Sequence, residues 1–223
     1  MVGDAPPSPR NTAARRRPVR TGRRPGNPDT RATIIAAAES EFTAKGFDRV
    51  SMRGIAKVAG VDPALVHHYF DSKDDVLLAT LDVPFDPREV IPAMTREGAE
   101  GLGLRIARRF VSIWDDPDNQ VRLVAILRAS MSSDVAADLL RSGLVRMIIT
   151  PISDVIDAPD AVLRAQCVGS QLLGLAMARY VLRLEPLASA QPGVVVAQIG
   201  PTLQRYIDGH LPRGVDESAQ PAE

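Results

Sequence analysis

From Arg31 onward apolar side chains recur at helical spacing: Ile34, Ile35, Ala38 and Phe42 fall on one side, with Glu39, Glu41 and Lys45 among the polar positions between them. Asp29 suits the N-cap of this first helix, and Gly46 suits the position just past its end, where left-handed backbone is needed. Ser51 then restarts the chain as a natural N-cap, with Val50 placed to staple onto Ile55. The short second helix stops at Gly60. Asp62 caps again and Pro63 takes the first helical position, where its missing N–H breaks no bond, so a third helix starts three residues later. Ser72-Lys73-Asp74-Asp75 reads as a capping box that opens a fourth helix through Val76, Leu77 and Leu81.

Val83-Pro84-Phe85-Asp86-Pro87 interrupts this texture, because two prolines in four residues stop a helix from continuing. Beyond it every long stretch carries helical periodicity and none alternates with period two. Leu104, Ala107, Phe110 and Trp114 form one stripe, and Val121, Val124, Leu127 and Met131 another. Residues 134–149 and 160–183 continue the pattern, and Val195, Ile199, Leu203 and Tyr206 line one side of a last helix. The chain thus divides into an arm (1–28), a small helical domain (29–82), a larger helical domain (83–208) and a tail (209–223). The fold class is all-α.

Composition sharpens this division. Residues 1–28 hold six prolines and seven arginines with almost no large apolar side chains, too little to offset chain ordering, so the arm and the tail are expected to be disordered. Formal net charge is zero, yet residues 1–80 carry 13 Lys/Arg against 9 Asp/Glu and residues 81–223 carry 14 against 18. The basic front end is a candidate polyanion binder. A single cysteine, Cys167, excludes an internal disulfide and a cysteine-rich zinc site, and is expected to be a buried helix thiol in a reducing cytoplasm. No uninterrupted apolar run approaches the roughly 18 residues of a membrane span. Neighbouring His67 and His68 project about 100° apart on a helix without a carboxylate or cysteine set, so no metal or other cofactor is expected.

The densest signal is the block from Ser51 to Phe70, which reads as helix, tight turn, helix. Ile55, Ala56, Val61, Val66 and Phe70 supply a small shared core, and Gly60 the turn. Pro63, Ala64, Leu65, His67 and His68 are left facing outward, on a surface that fits a major groove about 12 Å wide. From Arg31 to Lys73 the chain resembles the DNA-binding domain of the TetR (tetracycline repressor) family, most specifically in the run Gly60-Val61-Asp62-Pro63-Ala64-Leu65-Val66-His67-His68-Tyr69-Phe70-Asp71-Ser72-Lys73. His67 departs from the tyrosine common there, and Asp62 from serine.

The resemblance implies a three-helix DNA-binding head with a helix-turn-helix and a larger helical ligand-binding and dimerisation domain. Ser51, Arg53, Tyr69 and Lys73 carry donors suited to phosphates, while Pro63, Ala64, Leu65, His67 and His68 are placed to read base edges. The arm from Arg10 to Arg24 is a candidate minor-groove or nonspecific contact. Phe110, Trp114, Met131, Met147, Met177 and Tyr180 are the candidate lining of a small-molecule pocket. Ala165, Gly169, Gly174 and Ala176 make the 160–183 helix small-sided, and with 192–207 it is where the resemblance puts a homodimer. Arg179 and Arg183 are expected at a solvated edge. The implied function is a cytoplasmic DNA-binding regulator, a repressor released from a palindromic operator by an apolar ligand, with no membrane contact and no enzymatic role. The alternative is a helical enzyme or small-molecule carrier, for which no catalytic triad, phosphate loop or metal spacing speaks.

Overall fold

Capping chemistry sets the boundaries of the first helices. In the computed structural model, which describes residues 28–211, α1 runs Pro28–Lys45 and α2 Met52–Ala59. Helix α3 covers Pro63–Tyr69 and α4 Lys73–Leu81. The arm expected over 1–28 and the tail over 209–223 lie outside the described residues, apart from Pro28 and Gly209 to Leu211. Helix α1 begins at Pro28, so Asp29 belongs to its first turn and does not precede it. Gly46 turns the chain at φ 74° and donates its N–H to the Phe42 carbonyl at 2.8 Å, leading into a 3-10 turn over Phe47–Arg49.

The larger domain continues as α5 (Pro87–Thr95), α6 (Leu102–Trp114), α7 (Pro117–Ser132) and α8 (Asp134–Leu144). A π-turn over Val145–Ile149 joins α8 to α9 (Thr150–Ser153). Helix α10 (Ala161–Ala176) runs into a second π-turn, Met177–Val181, and α11 spans Pro192–Asp208. There is no strand among the described residues. The tightest crossing lies between α6 and α11. A Cβ on Gly103 would meet the Gln204 backbone nitrogen and stand 2.5 Å from the Gly200 carbonyl, so only glycine allows the backbones this close. Gln204 closes the crossing by accepting from the Gly103 N–H at 2.7 Å and donating to the Ala99 carbonyl at 2.8 Å.

The head does not own a separate core. Ile34, Phe42, Ile55, Val66, Phe70, Val76 and Leu77 form one buried cluster that also includes Leu139 and Met147 from the larger domain. A second cluster, with Leu102, Ile106, Ile152, Val168, Leu203 and Ile207, fills the body. Several sequence expectations change here. Leu104 is exposed on α6, and Val121 and Met131 are 71% and 65% exposed on α7, a helix with no buried residue. Apolar residues surround α7 on several sides, so spacing could not say which side faces inward. Glu41, one of the polar positions between the apolar ones of α1, is buried, with the half-exposed Lys45 ammonium 2.5 Å from its carboxylate. Cys167 is only half-buried.

The 161–181 segment is also more apolar than a count of uninterrupted runs suggested. By length and composition it could cross a membrane, with a mean hydropathy of 1.2 and 22% of it buried. Its charges are anchored within the protein, Arg164 on Asp160 and on the carbonyls of Tyr206 and Gly209, and Arg179 on Asp115. Of its small residues, Ala165 and Ala176 are buried within the chain, a Cβ on Gly169 would stand 3.4 Å from the Ile149 side chain, and one on Gly174 would meet nothing within 4 Å.

Candidate nucleic-acid interface

The helix-turn-helix is assembled from local chemistry. The Ser51 side chain accepts the Gly54 N–H at 3.1 Å and opens α2. Gly60, at φ 66°, closes α2 in left-handed backbone, and the Val61 N–H reaches the Ala56 carbonyl at 3.1 Å. Asp62 accepts from the Ala64 N–H at 2.8 Å and opens α3 with Pro63 at its first position. Val50 and Ile55 lie in the same buried cluster, as a hydrophobic staple requires.

Val66 and Phe70 seal α3 against α1 and α2, and this fixes which side is left over. Pro63, Ala64, Leu65, His67 and His68 are all exposed on that side. Ser51 and Arg53 are exposed at the start of α2, together with Lys57 further along it. Tyr69 is half-buried, its ring edge-on to His68 at 5.2 Å. Arg31 lies 5.3 Å over the Phe70 ring.

Lys73 is engaged inside the protein. Its ammonium donates to the carbonyls of Phe47 at 2.7 Å, Val50 at 3.0 Å and Asp48 at 3.4 Å, and stands 4.2 Å over the Phe47 ring. An ammonium has three donors, and all three are directed at backbone here. Its part in this conformation is to clamp the turn between α1 and α2 onto the start of α4.

Helix α4 joins this head to the body through three arginines that sequence reading missed. Ser72 and Asp75 form the expected capping box, and Arg88 of α5 bonds Asp75, the Ser72 hydroxyl at 3.2 Å, and its own neighbour Asp86. Burial pushes the Asp75 carboxyl up, but the hydrogen bonds from Arg88 and Ser72 outweigh it and hold Asp75 below the usual carboxylate range. Asp86 is held down chiefly by its hydrogen bond from Arg88, and Arg88 is raised chiefly by Asp86. Arg146, on the first π-turn, stands 3.5 Å from Asp74 and 3.7 Å from Asp48, and Arg122 of α7 stands 3.5 Å from Asp82. No motif marks these pairs; the Arg88–Asp75 and Arg122–Asp82 partners are 13 and 40 residues apart.

The candidate pocket residues divide. Phe110, Trp114 and Tyr180 converge, Trp114 stacking on Tyr180 with ring centroids 5.2 Å apart and Phe110 lying 5.6 Å from Trp114. Met177 is half-buried at the start of the second π-turn. Met147 instead belongs to the core shared with the head, because the π-turn shifts the register of α8, and Met131 points out from α7. Arg179, expected at the surface, is 7% exposed and lies 3.4 Å from Asp115, which also accepts the Tyr180 hydroxyl at 2.9 Å. Burial first, then this bond to a carboxylate, pushes the Tyr180 hydroxyl well above its ordinary value. Among the described residues no group of acidic, histidine and cysteine side chains is arranged to hold a metal ion.

Comparison with known proteins agrees with this architecture. Residues 34–80 match the family model described as bacterial regulatory proteins, tetR family, and residues 100–207 match that of the tetracyclin repressor-like C-terminal domain. Over 54 residues the chain is 44% identical to the HTH-type transcriptional regulator BetI of Rhizobium meliloti, covering 24% of this chain and 27% of that protein. It is 29% identical to the HTH-type transcriptional regulator EthR of Mycolicibacterium smegmatis over 43% of this chain and 57% of that protein. The chain thus spans between about a quarter and just over half the length of these curated relatives. Among solved structures, a TetR-family regulator from Streptomyces coelicolor is 37% identical, over 83% of this chain and 98% of that one, with a TM-score of 0.44. On these matches the chain belongs to the TetR family of helix-turn-helix transcription regulators.

Proposed function

We propose that this chain acts as a homodimeric repressor in the cytoplasm, gripping a palindromic operator through α2 and α3 and releasing it when a small ligand binds the 83–208 domain. The observation that carries the reading is the outward side of α3, where five exposed short or polar residues flank a sealed apolar side. Ser51 and Arg53 hold phosphates, with the N–H groups at the start of α2 adding backbone donors. Pro63, Ala64 and Leu65 meet thymine methyls, and His67 and His68 donate to guanine acceptors. Tyr69 supports the adjoining phosphate.

Dimerisation is supported by the apolar residues that one protomer leaves uncovered. Val162, Leu163 and Leu173 on α10 and Val194 on α11 are all more than half exposed or at half exposure, in helices that otherwise bury their opposite sides. A second copy packing there covers them and sets two α3 helices about 34–36 Å apart on one side of the duplex. The ligand site in this reading is the Phe110–Trp114–Tyr180 cluster with Met177. Ligand binding is read out at the head through α8, whose Leu139 and the adjoining Met147 share the head core, and through the arginine clasps on α4.

Selection of duplexes from a random pool by the full chain tests this. The expected product is an inverted repeat whose half-site centres lie about one helical turn apart, roughly 34–36 Å. Recovery of unenriched sequence, or of one asymmetric half-site bound by a single protomer, refutes it.

A further inference from the structure

On the outer side of the body, a groove of about 700 Å³ runs between α7 and the second π-turn. Its floor is apolar: Val121 and Val124 from one side, Val181 and the Tyr180 ring from the other. Ala125, the polar Gln120 and two cations, Arg128 and Arg183, complete the lining, and no carboxylate is part of it. Neither arginine forms an ion pair among the described residues, whereas Arg88, Arg122, Arg146, Arg164 and Arg179 each face an acid. Arg183 is held at φ 54°, left-handed backbone that a residue with a Cβ rarely adopts, at the exit of a π-turn. Helix α7, the opposite wall, buries none of its residues fully, and its Leu123, Val124 and Leu127 pack against the aromatic cluster.

We infer that this groove binds an amphipathic organic anion, a carboxylate with an unbranched or aromatic apolar body. The body lies along Val121, Val124 and Val181, and the carboxylate is met by the guanidinium groups of Arg128 and Arg183, whose planar forks fit two carboxylate oxygens. The volume is within the range of small-molecule sites, and an apolar trough with two like charges at its edge disfavours neutral and cationic molecules of the same length. The floor residue Tyr180 is stacked on Trp114 and bonded to Asp115, so occupancy reaches the aromatic cluster directly. This inference rests on the reading that the larger domain is ligand-responsive; it places the ligand in the groove that borders the aromatic cluster at Tyr180 and names its chemistry.

Trp114 is the chain's only tryptophan, so its fluorescence reports the site. The full chain is titrated with decanoate below its micelle concentration, and in parallel with decanol and decyltrimethylammonium. Decanoate is expected to bind at least tenfold more tightly than either, and the preference is expected to disappear in the Arg128→Gln/Arg183→Gln variant while the variant melts like the parent. Equal affinity for decanoate and decanol, or an unchanged preference in the variant, overturns the assignment. So does a change in oligomeric state of the variant by sedimentation, which would mean that the two arginines hold a second copy. Release of the selected operator is measured separately: decanoate that binds with the expected preference and leaves DNA bound supports the groove and refutes ligand release. Release by decanol without any preference for decanoate refutes the groove alone.

Discussion

Replacing Lys73 by methionine removes the ammonium and keeps most of the stem. In the structure that ammonium donates to three carbonyls of the Phe47–Val50 turn and sits over the Phe47 ring. Hydrogen bonds to a charged donor contribute about 1.5–3 kcal/mol, here taken once for the whole half-exposed cluster, and the cation–π contact adds about 0.5–1 kcal/mol. Lys73→Met is therefore expected to destabilise the protein by about 2–4 kcal/mol, which for a chain of this size lowers Tm by roughly 5–12 °C. A residue spent on backbone carbonyls releases no counterion on DNA binding, so the slope of log affinity against log salt should not change. Differential scanning calorimetry and fluorescence anisotropy on the selected duplex measure the two quantities. An unchanged Tm with a slope shallower by about one refutes the clamp and makes Lys73 the phosphate contact that its place in the sequence motif implies.

Arg53→Ala should reduce the salt slope by about one, whereas Leu65→Ala should leave the slope and change base preference in a repeat selection. Gly103→Ala should destabilise by about 1–3 kcal/mol, because the new Cβ meets the α11 backbone and forces apart helices that bury Leu102, Ile106 and Leu203. Gly193→Ala, with nothing within 4 Å, should be neutral or slightly stabilising, and equal melting of the two variants would contradict the close crossing. Asp75 and Asp86 have folded-state values below the ordinary 3.8, so their clasp contributes fully above that pH and is lost as pH falls through the lowered values. Urea titrations of the parent and Arg88→Ala should differ at pH 5 and converge below pH 3.8; a gap that persists undiminished at pH 2 would exclude this linkage.

How much of this was legible beforehand depended on range. The caps at Ser51, Asp62 and Ser72 and the turns at Gly46 and Gly60 act within four residues, so sequence alone located the helices of the head and the exposed side of α3. In the body the same reasoning found helices but misplaced faces. Helix α7 is apolar on too many sides for spacing to choose one, and two π-turns add residues that periodicity cannot register, moving Met147 into the head core. The Arg88, Arg122 and Arg146 clasps and the buried Arg179–Asp115 pair depend on partners brought together only by the fold. Lys73 is the instructive case, since its motif suggested DNA while its geometry supplies an internal partner for every donor.

In the proposed mechanism two copies of this chain present paired α3 helices to successive turns of one duplex. Spin labels on Ala44→Cys, exposed on α1 and outside the proposed DNA contacts, in a chain with Cys167→Ser, measure the spacing of the two heads by double electron–electron resonance on the selected operator. One narrow intermolecular distance is expected, set by α3 helices about 34–36 Å apart, and it should broaden or lengthen when the ligand is added. Absence of dipolar coupling between copies, or a distribution that is the same with and without duplex, would contradict it.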